Sequence, residues 1–180
     1  MTDGRREFVA ALVAHASNGQ LVGRIRLQKI AYLLKQLGAK VPAQFGYYHY
    51  GPYARELEIA THDAVEAALI REETRYRKSD GAPYSVFVSE QALSSAEADP
   101  LAAHASLVKE LSRQDPIVLE LAATAHWLSE VEKVDDWEQE ICRRKTWKVE
   151  DGRLEQALAL LKELGLPPAV KGAGQDAVAH

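Results

Sequence analysis

The sequence predicts a mainly helical α+β protein, in which an N-terminal part with a small β-hairpin packs against a C-terminal helical bundle. Apolar residues recur at intervals of three and four along most of the chain, as in amphipathic helices. Residues 72–77 and 84–89 instead alternate around the turn-forming segment 80–83, which is typical of a β-hairpin. Aspartate–proline pairs beginning at Asp99 and Asp115 indicate helix starts in the second half.

Two helices are predicted first, over residues 5–16 and 24–37. The second has an apolar stripe with the spacing of a buried helical face, formed by Leu27, Ile30, Ala31, Leu34 and Leu37. Gly38 follows this stripe, as expected at the C-terminal end of a helix. The arginines and lysines of the same segment fall on its other face, which predicts a basic side exposed to solvent.

An aromatic segment, residues 45–50, predicts a short strand that Gly51-Pro52 ends. A third helix is expected over residues 53–69, and the hairpin follows it. This order of helix, helix, short strand, helix and hairpin is that of a winged helix-turn-helix. We therefore expect residues 1–90 to form a winged-helix-like part.

The second half is expected to form a helical bundle over residues 91–168 that shares one continuous core with the first part. Its first residues, 91–98, are small and polar, as in a connection. Four helices are predicted, with starts near Asp99, Asp115, Asp135 and Asp151. Residues 169–180 are rich in glycine and alanine and lack periodicity, which predicts a disordered tail.

Composition and charge favour a soluble protein of the cytoplasm. The 180 residues have a formal net charge of −4 and include one cysteine, Cys142. One thiol makes no internal disulfide framework and offers no cysteine pair for zinc. The start of the chain is polar, unlike a signal peptide, and no apolar run approaches the roughly 20 residues that span a bilayer. We therefore expect no association with a membrane.

No motif indicates catalysis, a cofactor or a metal. The six histidines form no His-x-x-x-His pair, and a glycine-rich phosphate loop is absent. The acidic run from Asp135 to Glu140 suits the start of a helix, where the helix dipole favours negative charge. Cys142 lies beside three basic residues, but the sequence identifies no general base for it. The sequence therefore gives no reason to expect an enzyme.

The charge distribution bears on DNA binding. Residues 1–90 contain 12 basic and 10 acidic side chains, whereas residues 91–180 contain 10 and 16. The helix over residues 53–69 would enter the major groove in a typical winged helix, but it has one arginine against four acidic residues. DNA binding would instead depend on other basic residues, namely Arg24, Arg26, Arg75, Arg77 and Lys78.

Four of the seven tyrosines lie between Tyr47 and Tyr53. In a strand, alternation would separate Tyr48 and Tyr50 from Tyr47, so that one set packs on the core and the other is exposed. Exposed tyrosines near arginines are typical of protein interfaces, and they also stack on unpaired bases.

Two segments carry a resemblance to known proteins: RIRLQKIAYLL at residues 24–34 and FGYYHYGPY at residues 45–53. Leu-Gln-Lys-hydrophobic-x-Tyr followed by Tyr-Gly-Pro, a helix and a short hairpin resembles the YwgA-like family and, more distantly, the Panacea antitoxin domain. The helix after Asp115-Pro116 is similar to a later helix of the YwgA-like group. The resemblance extends over about residues 5–165.

The resemblance to Panacea domains implies a protein that binds other proteins, toxins among them. We therefore predict a non-enzymatic protein-binding module, antitoxin-like or a regulatory adaptor, and leave self-association open. The residues expected to bind the partner are Gln28, Lys29, Tyr32, Tyr47, Tyr48, Tyr50, Gly51 and Pro52. The same motif can also serve folding, because Gly51 permits a tight turn and Gln28 and Lys29 could hydrogen-bond to that turn. The alternative function is a winged-helix DNA-binding transcriptional regulator.

Overall fold

The structure, a computed structural model, describes residues 4–90 and 99–169. Within them the chain forms seven α-helices: α1 (Arg5–His15), α2 (Arg24–Gln36), α3 (Arg55–Glu66), α4 (Ala105–Leu111), α5 (Pro116–His126), α6 (Trp137–Lys145) and α7 (Arg153–Leu164). It also forms five strands: β1 (Gln20–Val22), β2 (Gly46–Tyr48), β3 (Gly51–Tyr53), β4 (Ile70–Tyr76) and β5 (Pro83–Ser89). The prediction of a mainly helical chain with a few antiparallel strands is confirmed.

The predicted hairpin is the β4–β5 pair of an antiparallel sheet with the strand order β1-β5-β4. Strand β1 has no counterpart in the sequence prediction, because three residues are too few to show alternation. Its central residue, Leu21, lies opposite Phe87 of β5, and both side chains are fully buried. This contact joins the connection between α1 and α2 to the sheet.

The aromatic segment forms a second, two-stranded sheet in which β2 pairs with β3, with Tyr48 opposite Gly51. The expectation that Gly51-Pro52 ends the strand is therefore wrong, since β2 ends at Tyr48 and these two residues belong to β3, which pairs with it. Gly51 has a φ of +87°, a conformation that side chains with a Cβ rarely adopt. Helix α3 consequently begins at Arg55, two residues later than predicted.

The two aspartate–proline pairs behave differently. Asp115 caps α5 as predicted, since its carboxylate accepts hydrogen bonds from the backbone N–H groups of Ile117 and Val118, at 2.8 and 3.2 Å. After Asp99 there is only a turn and a short 3₁₀ segment, and α4 begins later, at Ala105. The Asp99 carboxylate also lies 2.6 Å from Nε2 of His15, at the end of α1.

Buried apolar residues of both halves form one cluster. Helix α5 is buried along almost its whole length and packs against α2, α7 and β3. A helix enclosed on all sides must satisfy its polar side chains inside the protein. The polar residues of α5, Glu120, Thr124 and His126, are therefore central to the site described below.

The predicted connection at residues 91–98 and all of the predicted tail except Ala169 lie outside the described residues. Among the helices of the described part, none is long and apolar enough to cross a bilayer.

Candidate functional site

The β2–β3 hairpin is tied to α2 by two side chains of the Leu-Gln-Lys motif. The side-chain amide of Gln28 makes two hydrogen bonds to the backbone of Ala54, donating to its carbonyl and accepting from its N–H, both at 2.9 Å. The ammonium of Lys29 donates to the carbonyl of Pro52 at 2.6 Å. Both side chains are buried. Hydrogen bonding to the turn is therefore one role of this motif.

Four charged side chains lie beneath the hairpin, and we call Lys29, Glu120, Lys145 and Lys148 the lysine cluster. The Glu120 carboxylate is 2.8 Å from the Lys145 ammonium and 2.9 Å from that of Lys148. The Lys145 ammonium also donates to the carbonyl of His49, in the turn of the hairpin, at 3.4 Å. One carboxylate faces three amines, so the cluster has an excess of positive charge when all are protonated.

Burial and the excess charge lower the pKa values of two lysines of the cluster. The pKa of Lys29 is lowered to about 7, chiefly by burial; Glu120 opposes the shift, and the charges of Lys145 and Lys148 add to it. Burial also lowers the pKa of Lys145, against its hydrogen bond to Glu120. Near neutral pH the cluster therefore releases a proton at Lys29.

We expect Lys29 to make the free energy of unfolding rise between about pH 7 and pH 10.5. In this window the unfolded chain still binds a proton that the folded chain has released, so a higher pH favours folding. The rise is at most about 5 kcal/mol, since one pKa unit corresponds to about 1.4 kcal/mol. Denaturant unfolding at a series of pH values measures it.

The matched variants for this measurement are Lys29→Met and Lys35→Met, both on α2. The first should reduce the rise to the part that Lys145 contributes, and the second should retain it in full, because Lys35 bonds instead to the carbonyl of Ala43. The same pH dependence in Lys29→Met as in the natural chain would contradict the assignment.

The hairpin backbone approaches α5 most closely at Gly51. A Cβ placed there would lie 2.5 Å from Oγ1 of Thr124 and 3.8 Å from the Lys29 ammonium. Thr124 is fully buried, and within the described residues its hydroxyl has no hydrogen-bond partner. The Tyr-Gly-Pro motif therefore needs glycine for its contact with α5 as well as for its turn.

Tyr32 joins α2 to the end of α5. Its hydroxyl lies 2.7 Å from Nδ1 of His126, and its ring packs edge-on against Phe45 with 5.3 Å between centroids. Burial raises the pKa of Tyr32 and lowers that of His126. Both side chains are therefore largely neutral at pH 7, as suits a hydrogen bond inside a core.

Three aromatic side chains at and beside the hairpin are more than half exposed: Tyr48 at 57%, Tyr50 at 53% and Trp147 at 57%. We call these three residues the aromatic surface. The Lys148 ammonium, from the residue after Trp147, lies 5.0 Å from the centroid of the Tyr50 ring, and the Tyr48 ring packs edge-on against Tyr53. The Arg153 guanidinium lies 5.6 Å from the centroid of Trp147. The aromatic surface is therefore bordered by cations.

Tyr47 packs in another direction from Tyr48, as strand alternation predicts. Its half-buried ring lies 6.2 Å from that of Trp127 and 4.7 Å from the Arg144 guanidinium. Arg144 in turn forms ion pairs with Glu132 and Glu140, at 2.8 and 2.6 Å. Tyr47 thus packs the inner side of the hairpin against Trp127 and Arg144.

The eight residues predicted to bind a partner fall into three groups by exposure. Five are buried: Gln28, Lys29, Tyr32, Gly51 and Pro52. Tyr47 is half-buried, and Tyr48 and Tyr50 are exposed. The site also contains residues that the sequence prediction did not include: Glu120, Thr124, Lys145, Trp147 and Lys148. A signal for Glu120 was available, because it is the one carboxylate of a helix whose other residues are mostly apolar.

Four of the five residues assigned to DNA binding line one open groove between the start of α2 and the β4–β5 turn: Arg24, Arg26, Arg77 and Lys78. We call it the basic groove. Arg24 and Arg77 form ion pairs with Glu72 and Asp80, at 2.6 and 2.8 Å. The fifth residue, Arg75, pairs with Glu73 on β4 at 2.8 Å.

Arg26 is held by backbone groups rather than by a carboxylate. Its guanidinium donates to the carbonyls of Gln114, at 2.9 Å, and Val22, at 2.6 Å. Burial lowers the pKa of Arg26, and Asp115 opposes this shift. Arg26 therefore links the first half of the chain to the start of α5.

No family model matches the chain. A DNA ADP-ribosyl glycohydrolase of Thermus aquaticus is 29% identical over 186 residues, which cover 93% of this chain and 49% of that protein. The uncharacterized protein YwgA of Bacillus subtilis is 21% identical over 167 residues, covering 88% of this chain and 96% of YwgA. The chain thus spans about half the length of the Thermus relative. These similarities support the predicted relationship to YwgA, while the link to the Panacea domain stays a prediction.

Proposed function

We propose that the chain is a non-enzymatic protein-binding module, antitoxin-like or a regulatory adaptor, whose partner docks on the aromatic surface. The observation that carries this proposal is the exposure of Tyr48, Tyr50 and Trp147 beside a tightly held hairpin. Tyrosine, tryptophan and arginine are the residues that contribute most to binding energy at protein interfaces. Folding alone does not explain why three large aromatic rings are exposed in this part of the protein.

The rigidity of the hairpin supports the proposal. Lys29 bonds to its second strand, Gln28 bonds to Ala54 directly after that strand, and Lys145 bonds to its turn. A surface that is ordered before binding loses less conformational entropy when a partner docks. In this proposal the buried residues of the motif position the exposed ones, and Tyr48 and Tyr50 make the contact.

The relatives support a module with an accessory role. A unit of this length makes up nearly all of YwgA and about half of the Thermus protein, whose name describes the removal of ADP-ribosyl groups from DNA. A segment similar to this chain therefore makes up most of one relative and about half of the other. We propose that this chain contributes binding and not the hydrolysis that the name of the Thermus protein describes.

Replacing Tyr48, Tyr50 and Trp147 together with alanine is expected to weaken partner binding at least tenfold. The change should leave the melting temperature nearly unaltered, because all three rings are exposed. Pull-downs from native lysate with the natural chain would identify the partner, and titration of the purified partner would measure the loss. The matched control is Tyr76→Ala, which removes another exposed tyrosine, on β4.

Several outcomes would contradict the proposal. They are the absence of a specific protein partner, equal binding by the triple variant and the Tyr76 control, and release of ADP-ribose from modified DNA by this chain alone. Salt-dependent binding to a defined DNA site would instead favour the alternative function.

The alternative, a winged-helix DNA-binding regulator, is favoured by one observation, the gathering of Arg24, Arg26, Arg77 and Lys78 in the basic groove. A gel shift with the DNA upstream of the chain's own gene tests it, at several salt concentrations because phosphate contacts weaken with salt. If this alternative holds, the natural chain should shift the DNA, and changing Arg75, Arg77 and Lys78 to alanine should abolish that shift.

A further inference from the structure

A largely apolar cavity of about 270 Å³ opens between the start of α2, helix α3 and strand β5. Leu27 and Phe87 form part of its wall, and Tyr50 and Tyr53 line it from the β2–β3 hairpin. An apolar cavity of about 150 Å³ is large enough for benzene. In proportion, this cavity has room for about ten heavy atoms, the number in a purine base.

The cavity adjoins the basic groove, because Arg24 and Ile25 line both. The groove is lined by four cationic side chains, of which Arg24 and Arg77 form ion pairs with Glu72 and Asp80 beside it. It also contains the start of α2, where Gly23 offers no side chain to cap the first N–H groups of the helix. Free N–H groups at a helix start favour a bound phosphate. An apolar, aromatic compartment therefore borders one suited to an anion, with Arg24 and Ile25 common to both.

We propose that the cavity and the basic groove together bind a purine nucleotide, with the base in the cavity and the phosphate in the groove. Tyr50 and Tyr53 supply aromatic rings on which a base can stack. The carboxylate of Glu58, which also lines the cavity, can accept a hydrogen bond from an exocyclic amino group of the base.

Two cations of the groove have donors to spare for the phosphate. The Arg24 guanidinium has five N–H groups and makes one hydrogen bond to Glu72, so other N–H groups can bind a ligand. Lys78 forms no ion pair with any of the described residues. The proposed site shares Tyr50 with the aromatic surface, and Gln28 and Lys29, which hold the hairpin, also line the cavity.

Calorimetric titration of the full chain with AMP, adenosine and inorganic phosphate tests the proposal. AMP should bind at least tenfold more tightly than adenosine, and phosphate alone should bind more weakly than either. Arg24→Ala should weaken AMP at least tenfold and leave adenosine unchanged. The matched control is Arg71→Ala, an equally exposed arginine that pairs with Glu73 on β4 outside both compartments; it should bind AMP as the natural chain does.

A second variant tests the cavity by itself. Thr61 lines it from α3, and Thr61→Leu adds bulk that should abolish binding of both AMP and adenosine while the circular dichroism stays native. Equal affinities for AMP and adenosine, or equal losses in the Arg24 and Arg71 variants, would overturn the proposal. So would binding of a DNA strand without binding of AMP, which would assign the groove to nucleic acid instead.

Discussion

Replacing Gly51 with alanine is expected to lower the free energy of unfolding by about 3 kcal/mol, from left-handed strain of about 1–2 kcal/mol and overpacking of about 1–3 kcal/mol. The strain arises because Gly51 has a φ of +87°. The overpacking arises because the new methyl group would lie 2.5 Å from the buried hydroxyl of Thr124. Denaturant unfolding of the purified variant measures the loss.

Gly81, in the β4–β5 turn, is the matched control. It also has a positive φ, +70°, but a Cβ there would meet no atom within 4 Å. Gly81→Ala should therefore cost only the backbone term, about 1 kcal/mol. Adding Thr124→Ala to the Gly51 variant should recover the remainder, since the hydroxyl is then gone. Equal losses at the two glycines, or no recovery in the double variant, would contradict the steric explanation.

Replacing Glu120 with glutamine is expected to cost about 3–5 kcal/mol, the usual effect of removing one partner from a buried ion pair. The change leaves Lys145 and Lys148 beneath the hairpin without the carboxylate that both contact. The matched control is Glu73→Gln, because Glu73 also pairs with two cations, Arg71 and Arg75, but on the exposed strand β4. Exposed pairs contribute little, so this variant should unfold almost as the natural chain does.

The loss in Glu120→Gln should shrink as the pH rises above neutral. Without the carboxylate, the buried lysines release protons more readily than they do in the unfolded chain, so a higher pH favours folding. Unfolding curves at neutral and alkaline pH compare the two conditions. The same loss at both would mean that Glu120 stabilises the protein by something other than its charge.

Local signals in the sequence were sufficient for much of the fold. The apolar stripe of α2 and the aspartate before Pro116 each specify a helix through contacts within a few residues, and the β4–β5 hairpin is specified by alternation and its turn. Strand β3 could not be predicted in this way. Gly51 and Pro52 are turn formers locally, and they pair with β2 because Lys29 and Gln28 of α2 bind the backbone there.

The site was less predictable than the fold, because burial of a charge depends on distant partners. Lys29 was expected on a basic, exposed face of α2, and it is instead fully buried. Its position is acceptable only because the carbonyl of Pro52 and the carboxylate of Glu120 lie nearby. Glu120 in turn depends on Lys145, 25 residues further along the chain. No local pattern contains these pairings.

The hydrogen bonds beneath the β2–β3 hairpin have a consequence for the lifetime of the folded state. They join residues 23 positions apart at Lys29 and Pro52, and 96 apart at Lys145 and His49. Contacts between residues so distant in the chain require long loops to close, so they are expected to form late in folding. Interactions absent from the transition state act on the rate of unfolding rather than on that of folding. The lysine cluster should therefore slow unfolding of the chain without accelerating its folding.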